Sequence, residues 1–408
     1  MERYTDEKNP ETVYLIEEEV ELQQPKPKRP LWRRCIRGFL TMAGIWMVFT
    51  AFAPVFRGNF GCHRHRRPHD IEIIPPSANP DMPPPNMDID FAEGDNYYGE
   101  PEDPFKVPVE HYTFDASIRN FYIKQDSFHR PSRIEVVGNL IVESSDKASN
   151  ISAYFKFDVS DKYLRKELII QPAKDGIVFK LDPFSPVTSG KVNATVHLVI
   201  PKRKDYNLDS LHVSTISLPI WIKNSFTTTV NSTSFSTVAG TITAFGKSSD
   251  KTALDINNLR LHTISGNIAG EFPLNHALAL ETTNGDIVAD VVSSDRPEEI
   301  GWLKTASVNG DHKIRFISQL NPRPLYSKHT SVSGDISVVY PEDWQGGLNL
   351  KSTSGHIEVD GKGTKVVKKD KSAAGRFWKV IKGDGKSRGS IATVSGKIDV
   401  FIGEEDKE

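Results

Sequence analysis

Three aspartates follow a glycine directly in successive copies of one short repeated segment: Asp286, Asp311 and Asp335. If the copies stack, the three carboxylates form a row, and some β-helix enzymes cleave polysaccharides with carboxylates aligned along a groove. Such an enzyme would need the three to cluster within about 10 Å in one groove. Aspartate is also a common turn residue beside glycine. Other copies carry Asn267, His356 and Lys397 at the same place, so the pattern favours a structural role and leaves a membrane-tethered carbohydrate-active enzyme as the alternative.

A second group with the residue types of a metal site lies near the N-terminus. Cys62, His63, His65 and His69 have loose ligand spacing, but the arginines between them would repel a cation. No nucleophile elbow, zincin, P-loop or dinucleotide motif occurs in the strand and helix context that it requires. We therefore predict no catalytic residue, no metal and no cofactor.

Residues 362–388 form a strongly basic run, with ten lysines and arginines against Asp370 and Asp384, and with Phe377 and Trp378 among them. The run could bind a polyanion. The sequence favours a solvated insertion that projects from a coil. If the run lies outside the cytosol, polysaccharides or acidic lipid head groups are better partners for it than nucleic acid, and we predict no nucleic-acid binding.

The segment that carries the aspartates occurs seven times. Each copy has an apolar residue, a small polar residue, glycine, a variable polar residue and then isoleucine or its neighbour, as in TTNGDIVAD, SVSGDISVVY, STSGHIEVDG and TVSGKIDV. The repeat glycines are Gly240, Gly266, Gly285, Gly310, Gly334, Gly355 and Gly396. Their spacings of 26, 19, 25, 24, 21 and 41 residues fit one coil each, with the last covering two coils or one coil with an insertion.

The repeat predicts an all-β, right-handed β-solenoid-like ectodomain. Glycine permits the positive φ that a sharp corner needs. The isoleucines two residues later would then point into a shared core, which stacked coils bury together. The alternative reads each SG or NG pair as a hairpin turn of an antiparallel meander or sandwich. The constant register of the isoleucines favours the solenoid.

These repeats resemble the candidate adhesin domains of unknown function found in bacteria and fungi. The resemblance covers residues 205–402, with 109–204 a weaker match. It implies a β-solenoid and an adhesin-like binding role, and it brings no catalytic residues with it.

One apolar segment, residues 38–56, carries no charge over nineteen residues and has basic flanks. At about 1.5 Å per residue its helix would cross a bilayer core, so we predict one N-terminal transmembrane helix. The positive charges favour a cytosolic N-terminus. Acceptor sequons at Asn150, Asn193 and Asn231 fit glycosylation of an exported domain. Cys35 would lie at the cytosolic membrane edge, where palmitoylation could occur, and Cys62 could pair between chains.

The 408 residues, 38% hydrophobic and with a net charge of −2, then divide into five stretches. Residues 1–37 form a disordered cytosolic tail, 38–56 the span, and 57–108 a basic juxtamembrane segment with an acidic, proline-rich stalk. Residues 109–204 form a β-rich N-terminal part or cap, and 205–402 the repeat solenoid with its basic insertion. We predict a non-enzymatic, adhesin-like binding module in the plasma membrane or a secretory-pathway organelle, with surface glycans or another protein as its partner.

Overall fold

The computed structural model describes residues 106–126, 133–182, 187, 189–203, 206–244, 255–293, 300–317, 320 and 323–403. The predicted span, its flanking cysteines and histidines and the stalk up to residue 105 lie outside them. Within the described ranges, no helix has the length and hydropathy that crossing a bilayer requires.

Nearly all regular structure in the described residues is β-strand. The first part of the chain contains β1 (Lys106–Phe114), β2 (Asn120–Gln125), β3 (Arg133–Ser145), β4 (Ile151–Val159), the short helix α1 (Leu164–Glu167), β5 (Leu168–Ala173), β6 (Gly176–Leu181), β7 (Ser189–Pro201), β8 (Asn207–Thr215) and β9 (Ile220–Ile222). The repeats contribute β10 (Thr229–Thr237), β11 (Ile242–Ala244), β12 (Ile256–Ser265), β13 (Ile268–Leu274), β14 (Ala277–Asn284), β15 (Ile287–Ser293), β16 (Gly301–Ala306), β17 (His312–Phe316), β18 (Leu325–Ser333), β19 (Ile336–Tyr340), β20 (Gly346–Ser352), β21 (Ile357–Asp360), β22 (Thr364–Ser372), β23 (Gly375–Lys382), β24 (Ser387–Ser395) and β25 (Ile398–Ile402).

Two sheets share these strands. Sheet A runs β1-β4-β7-β3-β9-β11-β13-β15-β17-β19-β25-β21, and sheet B runs β22-β23-β20-β24-β18-β16-β14-β12-β10-β8-β2-β6-β5. Each repeat gives one strand to sheet B, turns at its glycine and gives the next strand to sheet A. Equivalent strands of neighbouring coils pair in parallel, as β12 does with β14 and β13 with β15. This parallel register confirms the β-solenoid-like, all-β prediction and rules out hairpin turns at the repeat glycines.

The isoleucines of the repeats form one buried row along sheet A. Ile242 pairs with Ile268, Ile268 with Ile287, and Ile336 with Ile398, and all are fully buried. The six isoleucines are Ile242, Ile268, Ile287, Ile336, Ile357 and Ile398. The fourth repeat has His312 at this position, also fully buried. The predicted shared interior is therefore present, with one polar interruption.

The repeat glycines are required mainly by close stacking of the backbone. A Cβ on Gly310 would lie 1.8 Å from the carbonyl oxygen of Gly285, and one on Gly266 would lie 2.1 Å from that of Gly240. Positive φ occurs at Gly285, Gly310 and Gly334 but not at the other four. The predicted positive φ is therefore present at three of the seven corners, and at the other four the contact between coils excludes a side chain.

The last coils stack out of chain order. Strand β24 lies between β18 and β20, and β25 lies between β19 and β21, so the C-terminal coil sits inside the stack. The interval of 41 residues is one coil with an insertion. That insertion, β22 and β23, forms an antiparallel hairpin on β20 and extends sheet B, and β22 is exposed along nearly its whole length, as predicted for a solvated insertion. Strands β1 to β7 continue the two sheets at the other end and share the same hydrophobic core.

Candidate functional site

The aspartate row is a hydrogen-bonded ladder along the glycine corner. Asp286 accepts a bond from the backbone N–H of Asp311 at 2.9 Å, Asp311 from that of Asp335 at 2.8 Å, and Asp335 from that of Lys397 at 2.6 Å. Asn267 starts the ladder by accepting from the N–H of Asp286. Each side chain thereby satisfies an amide that the turn would otherwise leave unpaired.

The ladder does not provide the groove that the enzyme alternative needs. At a strand spacing of about 4.8 Å, Asp286 and Asp335 are about 10 Å apart, which meets the distance condition. All three carboxylates are exposed on the outside of the corner, beside a row of glycines that offers no wall. The geometry thus gives the three aspartates a structural role, which is to connect neighbouring coils by hydrogen bonds.

The outer surface of sheet B carries a line of cations across its strands. Lys304 pairs in register with Lys328, Lys328 with Ser390, Ser390 with Asn349, Asn349 with Lys379, and Lys379 with Lys368. Arg388 and Lys351 point outward in the two adjacent rows. We call these outward cations the basic face, which consists of Lys304, Lys328, Lys351, Lys368, Lys379 and Arg388.

Four of the six side chains of the basic face are without acidic partners among the described residues, and Arg388 is one of them, since its guanidinium donates to backbone carbonyl oxygens. Lys304 pairs with Glu281 at 2.7 Å and Lys368 with Asp370 at 2.8 Å. Within the described part of the chain, Lys328, Lys351 and Lys379 form no ion pair. Three uncompensated lysines spread over the four consecutive strands β18, β24, β20 and β23 produce a positive potential that attracts anions.

On the outer surface of sheet A, two cations have acidic partners. Arg315 makes a bidentate bond to Asp290, and Lys397 lies 3.0 Å from Glu358 and 3.1 Å from Asp399. These two cations are therefore neutralised, whereas Lys313 on β17 is exposed and forms no ion pair among the described residues.

The basic hairpin adds a recess at the end of the stack. A shallow cavity of about 290 Å³ is lined by His356, Ile357, Lys369, Asp370, Lys371, Arg376 and Trp378. The Nζ atom of Lys369 lies 3.8 Å from the centroid of Trp378, a cation–π contact. Arg376 donates to the carbonyl oxygen of Gly355 at 2.7 Å and so ties the hairpin to the last corner. The recess lies on the inward-facing side of the hairpin, because Trp378 is in register with the buried Leu350, whereas Lys379 of the basic face points outward.

A buried polar cluster interrupts the core near the middle of the repeats. Thr305 Oγ1 lies 2.9 Å from Nδ1 of His312 and 2.9 Å from Nδ1 of His329, and His312 Nε2 lies 2.8 Å from Ser307 Oγ. Burial lowers the pKa of His312 to about 4 and that of His329 to about 3. The two imidazoles are thus neutral at ordinary pH and satisfied by hydroxyls, which is a structural arrangement sealed from solvent.

Sequence reasoning found the corner residues and, within the basic run 362–388, three members of the basic face, but it missed Lys304, Lys328 and Lys351. Lys304 stands six residues before Gly310, and Lys328 six before Gly334, so the constant offset from the repeat glycine was the available signal. The sequons lie on strands or their edges, with Asn193 and Asn231 exposed and Asn150 half-buried. Among the described residues, no cluster of histidine, cysteine and carboxylate side chains could hold a metal ion.

Comparison with known proteins identifies one family. The profile of Toastrack DUF4097 matches residues 168–401. No curated protein sequence matches the chain.

Solved structures similar to the chain include three bacterial proteins. A candidate cell adhesion protein from Clostridium sporogenes is 12% identical, with 72% of this chain and 98% of that one covered and a TM-score of 0.24. A candidate adhesin from Bacteroides fragilis is 11% identical, with 72% and 96% covered and a TM-score of 0.36. A candidate lipid binding protein from Parabacteroides distasonis is 13% identical, with 73% and 97% covered and a TM-score of 0.34. At this level of similarity they carry no inference about a shared ligand.

Proposed function

The chain belongs to the Toastrack DUF4097 family, whose profile spans residues 168–401 of its 408. We propose that it is a non-enzymatic binding module for anionic polysaccharides. The observation that carries the proposal is the row of uncompensated lysines on the outer surface of sheet B. Lys328 and Lys379 belong to that row, and Lys351 is next to it.

The geometry of the basic face favours a linear polymer over a small anion. Neighbouring strands repeat at about 4.8 Å, so cations in one row recur at multiples of that distance along the solenoid axis. A polysaccharide that carries carboxylates or sulfates at regular intervals can engage several of them at once. Each exposed contact contributes little by itself, and several together give measurable binding.

Membrane attachment forms the second part of the proposal. The uncharged segment 38–56 would anchor the chain, with residues 1–37 in the cytosol and the solenoid on the opposite side, at the plasma membrane or in a secretory organelle. An acidic, proline-rich stalk would hold the basic face away from the anionic bilayer surface. With the solenoid on the non-cytosolic side, extracellular or lumenal glycans are within reach and nucleic acid is not. We also propose that the coils wind in a right-handed sense, as predicted from the sequence.

Binding of the detergent-solubilised full chain to immobilised polysaccharides tests the function. At physiological salt, sulfated and uronate-containing polymers should bind much more tightly than a neutral polymer of equal length. Salt screens contacts between exposed charges. Binding should therefore weaken steeply from about 0.05 to about 0.5 M salt, a roughly tenfold increase in ionic strength. Equal binding to anionic vesicles and anionic polymers would point to lipid head groups, and absence of binding to every anionic polymer would contradict the proposal.

A further inference from the structure

Two aromatic side chains stack on the outer surface of sheet B, at the edge of the basic face. The ring centroids of Trp302 and Tyr326 lie 4.7 Å apart with an angle of 16° between the planes, and the two residues are in register on neighbouring strands. Since 4.7 Å is also the spacing of the strands, the ring normals point along the line from strand to strand. One face of Trp302 is therefore covered by Tyr326, and the opposite face looks toward β14.

The strand on that side carries only methyl groups where a ring would fit. Ala277 is paired with Trp302, and Ala279 is paired with Lys304. The next strand along has Asn258 opposite Ala277. Strands β12 and β16 are two spacings apart, or about 9.6 Å, which leaves room for one ring between Trp302 and Asn258 above the Ala277 methyl. Trp302 is 38% exposed, so this slot is open to solvent.

A polar group borders the slot on its long side. Glu281 accepts from Arg260 at 2.8 Å and from Lys304 at 2.7 Å, and these two cations flank Ala279 in one row. The carboxylate is mostly buried and uses one oxygen for each cation. The three side chains thus form a fixed array of charged donors and acceptors beside an aromatic face, and arrays of this kind bind hydroxyl groups with defined direction.

From these features we infer that the slot, formed by Trp302, Ala277 and Asn258, is a subsite for one pyranose ring of a bound glycan. The apolar C–H face of the sugar would lie on the free face of Trp302, and its hydroxyls would meet the Arg260–Glu281–Lys304 array. Burial of the exposed tryptophan face supplies affinity that salt does not screen. The inference deepens the proposed function, on which it rests for the class of ligand. A sugar held in this slot would fix the position of the bound glycan along the basic face.

Filling the slot without touching its aromatic or charged groups is the sharpest test. Ala277→Leu places a branched side chain where the ring would lie, while Ala392→Leu makes the same change on the same surface of sheet B, on β24. Neither removes a hydrogen bond or a charge. Trp302→Ala removes the platform itself. The full chain and these variants are titrated with neutral gluco-, manno- and chito-hexasaccharides at about 0.5 M salt, where the Debye length is short.

The wild-type chain and A392L should bind at least one neutral hexasaccharide, with a change in tryptophan fluorescence, while A277L and W302A should lose about tenfold or more in affinity. Equal unfolding midpoints of A277L and A392L exclude a folding defect as the cause. Binding by A277L that equals that of the wild type would overturn the subsite, and so would the absence of any response to all three sugars. If the wild-type chain bound no polyanion at low salt, the proposed function would instead be contradicted. Failure of the subsite and failure of the proposed function are therefore distinguishable.

Discussion

The carboxylate of Asp311 accepts the backbone N–H of Asp335 across the boundary between two coils, at 2.8 Å. The bond shows why a polar side chain follows the repeat glycine, because the residue joins its own turn to the next one. It also gives the aspartate row a stability role that can be measured separately from any binding role.

We expect Asp311→Ala to destabilise the chain and Asp311→Asn to be close to neutral. Alanine leaves the N–H of Asp335 without its partner, which costs about 1 to 3 kcal/mol, whereas the asparagine oxygen can accept the same bond, as Asn267 does for Asp286. Urea unfolding of the two variants beside the wild type measures the difference. Equal stability of D311A and D311N would show that the ladder contributes nothing.

Gly310→Ala should destabilise the stack by about 3 kcal/mol or more, since the new methyl group would meet the carbonyl oxygen of Gly285 at 1.8 Å and the paired coils cannot separate locally. Gly347→Ala is the matched control, because its Cβ would have one neighbour, the carbonyl oxygen of Val380 at 3.9 Å. Thermal unfolding of both variants checks the expectation. A G310A midpoint equal to that of G347A would refute close stacking as the reason for the glycine.

Stability should fall as the pH decreases from about 6.5 toward about 4. Burial lowers the pKa of His312 to about 4 and that of His329 to about 3, from an ordinary value of 6.5. Below pH 6.5 the unfolded chain binds protons that the folded chain excludes, so protonation favours unfolding. Burial also lowers the pKa of His212 and His262, and these residues act in the same direction.

The buried cluster can be replaced by the residue types that other coils use there. In the triple variant His312→Ile, His329→Leu and Thr305→Val, the loss of unfolding free energy between pH 8 and pH 5 should shrink relative to the wild type. Urea titrations at the two pH values give that difference. A loss of the same size in the triple variant would assign the acid sensitivity to other groups.

Glycosylation reports on which side of the membrane the solenoid lies. If it enters the secretory lumen, the full chain expressed in eukaryotic cells should shift to lower mass on endoglycosidase treatment. Replacement of Asn193 and Asn231 by glutamine should remove most of the shift, because both side chains are exposed. Insensitivity of the wild-type chain to the enzyme would argue against the predicted orientation.

The repeated frame specifies much of this fold. Isoleucine two residues after glycine requires an inward position at a constant register, and Ile268 and Ile287 occupy it. The same frame also predicts rows on the outer surface: Trp302 and Tyr326 each stand eight residues before their glycines, Gly310 and Gly334. Such rows become visible only after the coils are aligned on the glycine, which is why the aromatic pair and the basic-face lysines outside residues 362–388 were missed.

Stacking order could not be predicted from the frame. The segments around Gly355 and Gly396 are equivalent in pattern, so either coil could follow the one around Gly334. The structure places Gly396 next to Gly334 and Gly355 outside it, because the hairpin formed by β22 and β23 pairs with β20 and covers the outer edge of that coil. A long-range choice of this kind depends on which edge the lysine-rich hairpin protects, and local pattern does not encode it.

Removal of three charges from the basic face tests the central claim most directly. In one variant Lys328, Lys351 and Lys379 are changed to glutamine. In the control, Lys156, Lys166 and Lys174 are changed in the same way, since they are exposed at the opposite end of the solenoid. At about 0.15 M salt, the first variant should bind a sulfated polysaccharide about tenfold more weakly than the wild type, since three contacts of about 0.5 kcal/mol each amount to one order of magnitude. The control should bind like the wild type. Equal affinity of the two variants would contradict the assignment of polyanion binding to the outer surface of sheet B.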